Sequence, residues 1–101
     1  MISTTGMIAN IRPRYRMFIS QNTLHSLSDV IWGYIMAVSG CEDKAINDFD
    51  SRDFSEWASQ KIHGERRSIG WADLISEYAT ERKEDPFEAF FSFLDLYLQQ
   101  R

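Results

Sequence analysis

The sequence predicts an all-α fold, a compact single-domain bundle of about four to five helices built around the C-terminal one, and three observations predict it. The first is the closing stretch from Asp85 to Gln100. Glu88, Ser92, Asp95 and Gln99 recur there at steps that place them, at about 3.6 residues per turn, in one narrow helical stripe. Phe87, Ala89, Phe90, Phe91, Phe93, Leu94, Leu96, Tyr97 and Leu98 occupy the remaining circumference. A helix apolar nearly all round must be enclosed by other elements. The second observation is that earlier segments repeat apolar residues with the period of a helical face. The third is that no segment sustains two-residue alternation, which removes the pattern of a half-buried strand.

Taken in order, Ser3-Thr4-Thr5 can cap a short helix through Met7, Ile8 and Ile11 before Arg12-Pro13 restrains the backbone. Tyr15, Met17, Phe18 and Ile19 then form a short apolar patch that fits a helical turn or an extended link. Leu24, Leu27, Ile31, Tyr34, Ile35 and Val38 mark the first long helix, with Thr23 as N-cap and Gly40 as stop. Gly33 inside it costs about 1 kcal/mol relative to Ala, for which close approach of another helix is the ordinary reason. The polar run from Cys41 to Phe49 reads as a loop, with a helical turn possible at Lys44-Ala45-Ile46.

Asp50 starts the next helix as its cap, with Asp53 at the positive end of the dipole and Phe49 and Phe54 at the positions of a hydrophobic staple. Phe54, Trp57, Ala58 and Ile62 mark its buried face, and Gly64 ends it before the turn Glu65-Arg66-Arg67. Ser68 is the expected cap of a half-buried helix carrying Trp71, Leu74, Ile75 and Tyr78. Glu81 to Glu84 reads as a solvated link. Asp85, Pro86 and Glu88 then give a capping box with proline at the first helical position, the strongest local signal in the chain. Leu27, Ile31, Phe54, Trp57, Trp71 and Leu74 lie on faces able to cover the final helix.

A chain of 101 residues, 44% hydrophobic and 14% aromatic, is one domain with enough apolar surface to fold. A net charge of −4 and a pI near 5.0 argue against nonspecific binding to nucleic acid or to an anionic membrane and favour a basic partner. Cys41, the single cysteine, allows no internal disulfide, and the first residues lack the basic and apolar regions of a signal peptide. The expected location is the cytoplasm, with no membrane span.

Catalytic chemistry finds little support. His25 and His63 lie in different elements, no Cys or His pair has metal-ligand spacing, and Cys41 has no histidine placed to activate it. No phosphate loop, nucleophile elbow or zinc-protease motif occurs. The expectation is a non-enzyme without cofactor or metal. Arg12, Arg14 and Arg16 around Tyr15 resemble a nucleic-acid contact, but three charges in an acidic chain are more often internal partners of acids.

The acids are more informative because they cluster. Glu42, Asp43, Asp48, Asp50, Asp53 and Glu56 face only Lys44 and Arg52 in the same stretch, and Glu77, Glu81, Glu84, Asp85 and Glu88 form a second set. Each acid alone is an ordinary solvated residue. Together they can steer a cationic protein and compete with its polyanionic substrate. Among the tryptophans, helical spacing puts Trp57 and Trp71 in the core and leaves Trp32 the most exposed.

Arg12-Pro13, Met17-Phe18-Ile19, Leu27, Gly33-Tyr34, Phe54 with Trp57, Gly70-Trp71, Leu74-Ile75 and Phe90-Phe91 with Leu94-Asp95 occur in an order that resembles one helical group of bacterial immunity proteins. These accompany the toxins of contact-dependent growth inhibition and polymorphic toxin systems. Arg14-Tyr15-Arg16 widens the gap before Met17, and Ser20 stands where the group tends to have glycine. The resemblance implies a non-catalytic inhibitor that binds one cognate toxin domain and blocks its active site or substrate entry, a cationic nuclease being the natural target and an RNase ahead of a DNase. It transfers no binding residue.

Charge clustering alone therefore nominates the toxin-binding residues Glu42, Asp43, Asp48, Asp50, Asp53 and Glu56, with Glu81, Glu84 and Asp85 as a second surface. The alternative is a regulatory or adaptor module that binds another protein, possible as a homo-oligomer through exposed aromatics. Asp95, flanked by apolar neighbours, is expected at a solvent-facing seam or paired with one of the three N-terminal arginines.

Overall fold

The computed structural model describes residues 2–40, 43–65 and 67–100. Among them are five α-helices: α1 (Thr4–Ile11), α2 (Leu24–Ala37), α3 (Ser51–His63), α4 (Trp71–Arg82) and α5 (Pro86–Gln99). A 3-10 helix over Arg12–Met17 follows α1, and the described residues contain no strand. The fold is all-α, with four long helices and one short one as the periodicity predicts. Backbone contacts gather the chain into two compact units, Met1–Phe49 and Asp50–Arg101.

In the first unit, Ser3 caps α1 by accepting a hydrogen bond from Gly6 N at 3.0 Å. A Cβ on Gly6 would lie 2.9 Å from Ser3 Oγ, so glycine leaves room for the cap. Met7, Ile8 and Ile11 are buried. Arg14, at φ −141° and ψ 32°, interrupts the helical path after Pro13. The apolar patch beyond it is divided: Tyr15 and Ile19 are half-buried, whereas Met17 and Phe18 are exposed.

Thr23 caps α2, accepting from Ser26 N at 3.2 Å, and Leu24, Leu27 and Ile31 are buried. The helix stops at Ala37 with Val38 as its C-cap, at φ −99° and ψ 4°, short of the expected stop at Gly40. Gly33 also departs from expectation. A Cβ built there meets no atom within 4 Å, so no neighbouring helix requires the glycine. The segment after α2 forms the anticipated turn, in which Asp43 Oδ1 accepts from Ala45 N and the Asp43 carbonyl from Ile46 N and Asn47 N. It then closes onto α1. Thr4 N donates to the Ile46 carbonyl at 2.9 Å, while Thr5 N donates to Asp48 Oδ1 at 3.0 Å and Thr5 Oγ1 to Asp48 Oδ2. These bonds satisfy N–H groups that the first turn of any helix leaves open.

In the second unit α3 packs on α4, and both pack on α5. Asp50 caps α3 by accepting from Arg52 N and Asp53 N at 3.0 and 3.1 Å, and Gly64, at φ 74°, ends it in the left-handed conformation that glycine adopts without steric cost. Both residues expected to staple the start of α3, Phe49 and Phe54, are buried.

Phe54, fully buried, is the hub of an aromatic core. Its ring lies 5.9 Å from Trp71, 6.0 Å from Phe90 and 5.2 Å from Tyr97, all in edge-on geometry, and Trp71 stacks on Phe90 at 4.5 Å. Such pairs contribute about 0.5–1.5 kcal/mol each beyond area burial. Trp57 is half-buried at the edge of the cluster, where its Nε1 donates to Gln100 Oε1 at 2.8 Å.

Ser68 does not cap α4. The cap position is Gly70, and Trp71 N instead donates to Ser55 Oγ of α3 at 3.0 Å, a partner supplied by the neighbouring helix. Ser59, completely buried, holds the α3–α4 connection by donating to the Glu65 carbonyl and accepting from Arg67 N. Helix α4 runs on through Glu81 and Arg82, which were expected in a link, and ends at Lys83 in left-handed geometry with φ 56°. Asp85 caps α5 by accepting from Phe87 N at 3.1 Å, with Pro86 at the first helical position. Phe87, Ala89, Phe90, Phe91, Leu94 and Tyr97 are buried, but Leu96 is 47% exposed and Phe93 half-buried, so α5 is not enclosed on every side.

Candidate functional site

Charge is unevenly divided. Residues 1–49 carry four acids and four bases, whereas residues 50–101 carry eleven acids and seven bases, so the whole net charge of −4 belongs to the second unit. Basic groups of the first unit are on its surface, Arg12, Arg14 and Arg16 being exposed with the Arg16 guanidinium 5.6 Å from the Tyr15 ring centre.

The first nominated acidic set falls into two groups with different duties. Glu42 lies outside the described residues. Asp43 and Asp48 belong to the first unit, the former exposed and holding its own turn, the latter half-buried and bound to Thr5. Asp50, Asp53 and Glu56 occupy the first two turns of α3 in the second unit. Asp50 is committed to capping and Asp53 accepts a 2.6 Å hydrogen bond from Tyr97 Oη. Glu56 is 3.7 Å from Arg52, whose side chain is 90% exposed, a geometry contributing little. The structure thus shows most of these carboxylates already holding the fold.

Arg52 and Glu56 also line a cleft of about 410 Å³ with Ser55, Arg67, Ser68, Ile69 and Gly70. Its two guanidinium groups each face a carboxylate, Arg67 Nε standing 2.8 Å from Glu65 Oε1. The cleft presents little net charge of its own.

The second nominated surface is built differently. Helix α4 terminates when Glu84 N donates to the Ala79 carbonyl at 2.9 Å and Lys83 N to the Thr80 carbonyl, and Asp85 then starts α5. This tight corner sets Glu84, Asp85 and Glu88 at the mouth of a cleft of about 460 Å³ between the two helices. Tyr78, Ala89, Phe93 and Leu96 form its apolar wall, with Lys83 and Ser92 completing the lining. Tyr78 and Phe93 meet edge-on at 5.1 Å, and the Arg82 guanidinium lies 4.6 Å from the Tyr78 ring centre. Glu84 and Glu88 are exposed, and neither is engaged by a cation among the described residues. Glu81 is exposed on the last turn of α4 but does not line the cleft.

Sequence reasoning nominates Glu84 and Asp85 but passes over Glu88, Tyr78, Phe93 and Leu96. It counts Glu88 in the second acidic set but explains it by capping, and assigns the apolar residues to buried helix faces. The available signal is the spacing of Ala89, Phe93 and Leu96, one small residue below two large ones on a single helical face.

Trp32 and Met36, one turn apart on α2, are more than half exposed, whereas Trp71 is buried. Both histidines are exposed. No group of three His, Cys, Asp or Glu side chains able to hold a metal ion occurs among the described residues, and no helix there is long and apolar enough to cross a membrane. Asp95 is half-buried on the polar stripe of α5, beside exposed Ser92 and Gln99. No family model, curated protein or solved structure matches the chain.

Proposed function

We propose that the chain is a non-catalytic cytoplasmic immunity protein that binds a cognate bacterial toxin domain and covers its active site. The target is a cationic nuclease, an RNase ahead of a DNase. The observation that carries this reading is the concentration of the entire net negative charge in residues 50–101, with exposed carboxylates at both the start of α3 and the α4–α5 corner. A nuclease that binds a polyanion has a basic cleft, and an acidic protein surface both steers toward it and competes with the substrate's phosphates. The ordered resemblance of the helical motifs to immunity proteins supports the same reading.

Co-expression with the toxin encoded immediately upstream tests it. The expected outcome is restored growth and a complex whose association slows as salt is raised. Continued toxin activity in the presence of the folded protein would refute the reading. The exposed pair Trp32 and Met36 supports a second one, an adaptor that presents α2 to another cellular protein. Substitution of both by serine separates the two, since it leaves toxin neutralisation intact under the first reading.

A further inference from the structure

We infer that the cleft between α4 and α5 is a docking groove for a cationic, amphipathic polypeptide segment, one that places an Arg or Lys between Glu84 and Glu88 and an apolar side chain against Tyr78, Phe93 and Leu96. Three features of the cleft select this occupant. Its volume of about 460 Å³ suits a few side chains, within the range of about 300–1,000 Å³ usual for ligand clefts. Its wall is apolar and incompletely covered, Leu96 being 47% exposed and Phe93 half-buried. Its lining carries Glu84, Asp85 and Glu88 against Lys83, and with Arg82 beside Tyr78 three carboxylates still outnumber two cations, so a neutral apolar segment would leave the charges unused and an acidic one would be repelled.

The division of labour among the acids sharpens the assignment. Asp85 is committed to Phe87 N as the helix cap, which leaves Glu84 and Glu88 as the carboxylates able to turn toward a cation. They flank the cap in the fixed geometry of the α4–α5 corner, where two backbone hydrogen bonds end one helix and Pro86 starts the next. A site carried on helix ends keeps its shape before the partner arrives and loses less conformational entropy on binding. Tyr78 already receives the Arg82 guanidinium at 4.6 Å, so a guanidinium is compatible with the chemistry of this wall.

The inference deepens the toxin-binding reading and rests on it for the partner's identity, although the groove can be tested by itself. The probe is an acetylated, amidated pentapeptide of alternating arginine and leucine, titrated into the isotope-labelled full chain and followed by amide chemical shifts. Controls alternate glutamate with leucine, or arginine with serine. Shifts centred on Tyr78, Glu84, Glu88, Phe93 and Leu96 for the arginine–leucine peptide alone are expected. The double variant E84K/E88K is expected to weaken that binding roughly tenfold or more. L96S, at an exposed position, is expected to weaken it with the helical circular dichroism unchanged.

Shifts outside the groove, equal responses to all three peptides, or no response at millimolar peptide would overturn the groove. With the intact toxin, a wild-type chain that neutralises and an E84K/E88K chain that does so equally well would refute the groove and leave the immunity reading standing. A peptide that binds the groove while the toxin is not neutralised would uphold the groove and refute the immunity reading.

Discussion

Tyr97 donates its phenolic proton to Asp53 Oδ2 at 2.6 Å, tying the last turns of α5 to the first turn of α3. Asp53 is therefore both a helix-dipole partner and a structural acceptor, and Tyr97 is buried with its ring 5.2 Å from Phe54. Replacing Tyr97 with Phe keeps the ring and removes the bond. The expected loss is about 1–2 kcal/mol of unfolding free energy in urea, since bonds to charged groups are the stronger kind but this carboxylate is open to solvent. Asp53→Asn combined with Tyr97→Phe should cost less than the two singles together. Full additivity would show that the bond contributes nothing.

Phe54→Ala removes the hub of the aromatic core. A loss of about 3–5 kcal/mol is expected, the cost typical of deleting a buried Phe. Urea unfolding followed by tryptophan fluorescence measures it through Trp71 and Trp57, whose rings face Phe54. A cost below that of an ordinary surface substitution would mean that these rings do not pack as described.

Gly33→Ala is expected to raise stability by about 0.5–1 kcal/mol, because the position is helical, exposed and faces open space. Thermal unfolding reads the change directly. A destabilised variant would show that something does approach this face of α2.

Asp48→Ala should cost about 1–2 kcal/mol through its lost bonds to Thr5 and loosen α1, which hydrogen exchange of the α1 amides detects. For the same reason charge reversal at Asp48, Asp50 or Asp85 would not isolate a partner contact, since each holds a helix start. Glu84 and Glu88 are the cleaner probes of a partner.

Much of this architecture is legible in the sequence because its signals are local. Thr23, Asp50 and Asp85 each cap within their own sequence neighbourhood, and Gly64 ends α3 through its own backbone conformation, so residue order alone places them. The departures come where distant partners decide. Ser68 has the character of a cap for α4, yet Ser55, sixteen positions before Trp71, supplies the acceptor. Asp48 has the character of a free surface acid, and a threonine 43 positions earlier engages it. Leu96 reads as core when every apolar residue of α5 is assigned inward, yet it is 47% exposed in the wall of the cleft. The candidate groove is half visible, in Glu84 and Asp85, because charge clusters along the chain while the apolar wall is assembled from two helices.

The closure of α1 by Ile46 and Asp48 makes the shortest α-helix depend on a distant part of the chain. Helix α1 spans eight residues, shorter than the roughly 12–15 at which an isolated helix becomes marginally stable in water. The acceptors for Thr4 and Thr5 are made 42 and 43 residues later. The opening turn of α1 is thus completed only when the loop that follows α2 is in place. A chain that loses the Ile46 and Asp48 acceptors should therefore open α1 before α2, which the exchange rates of their amides would separate.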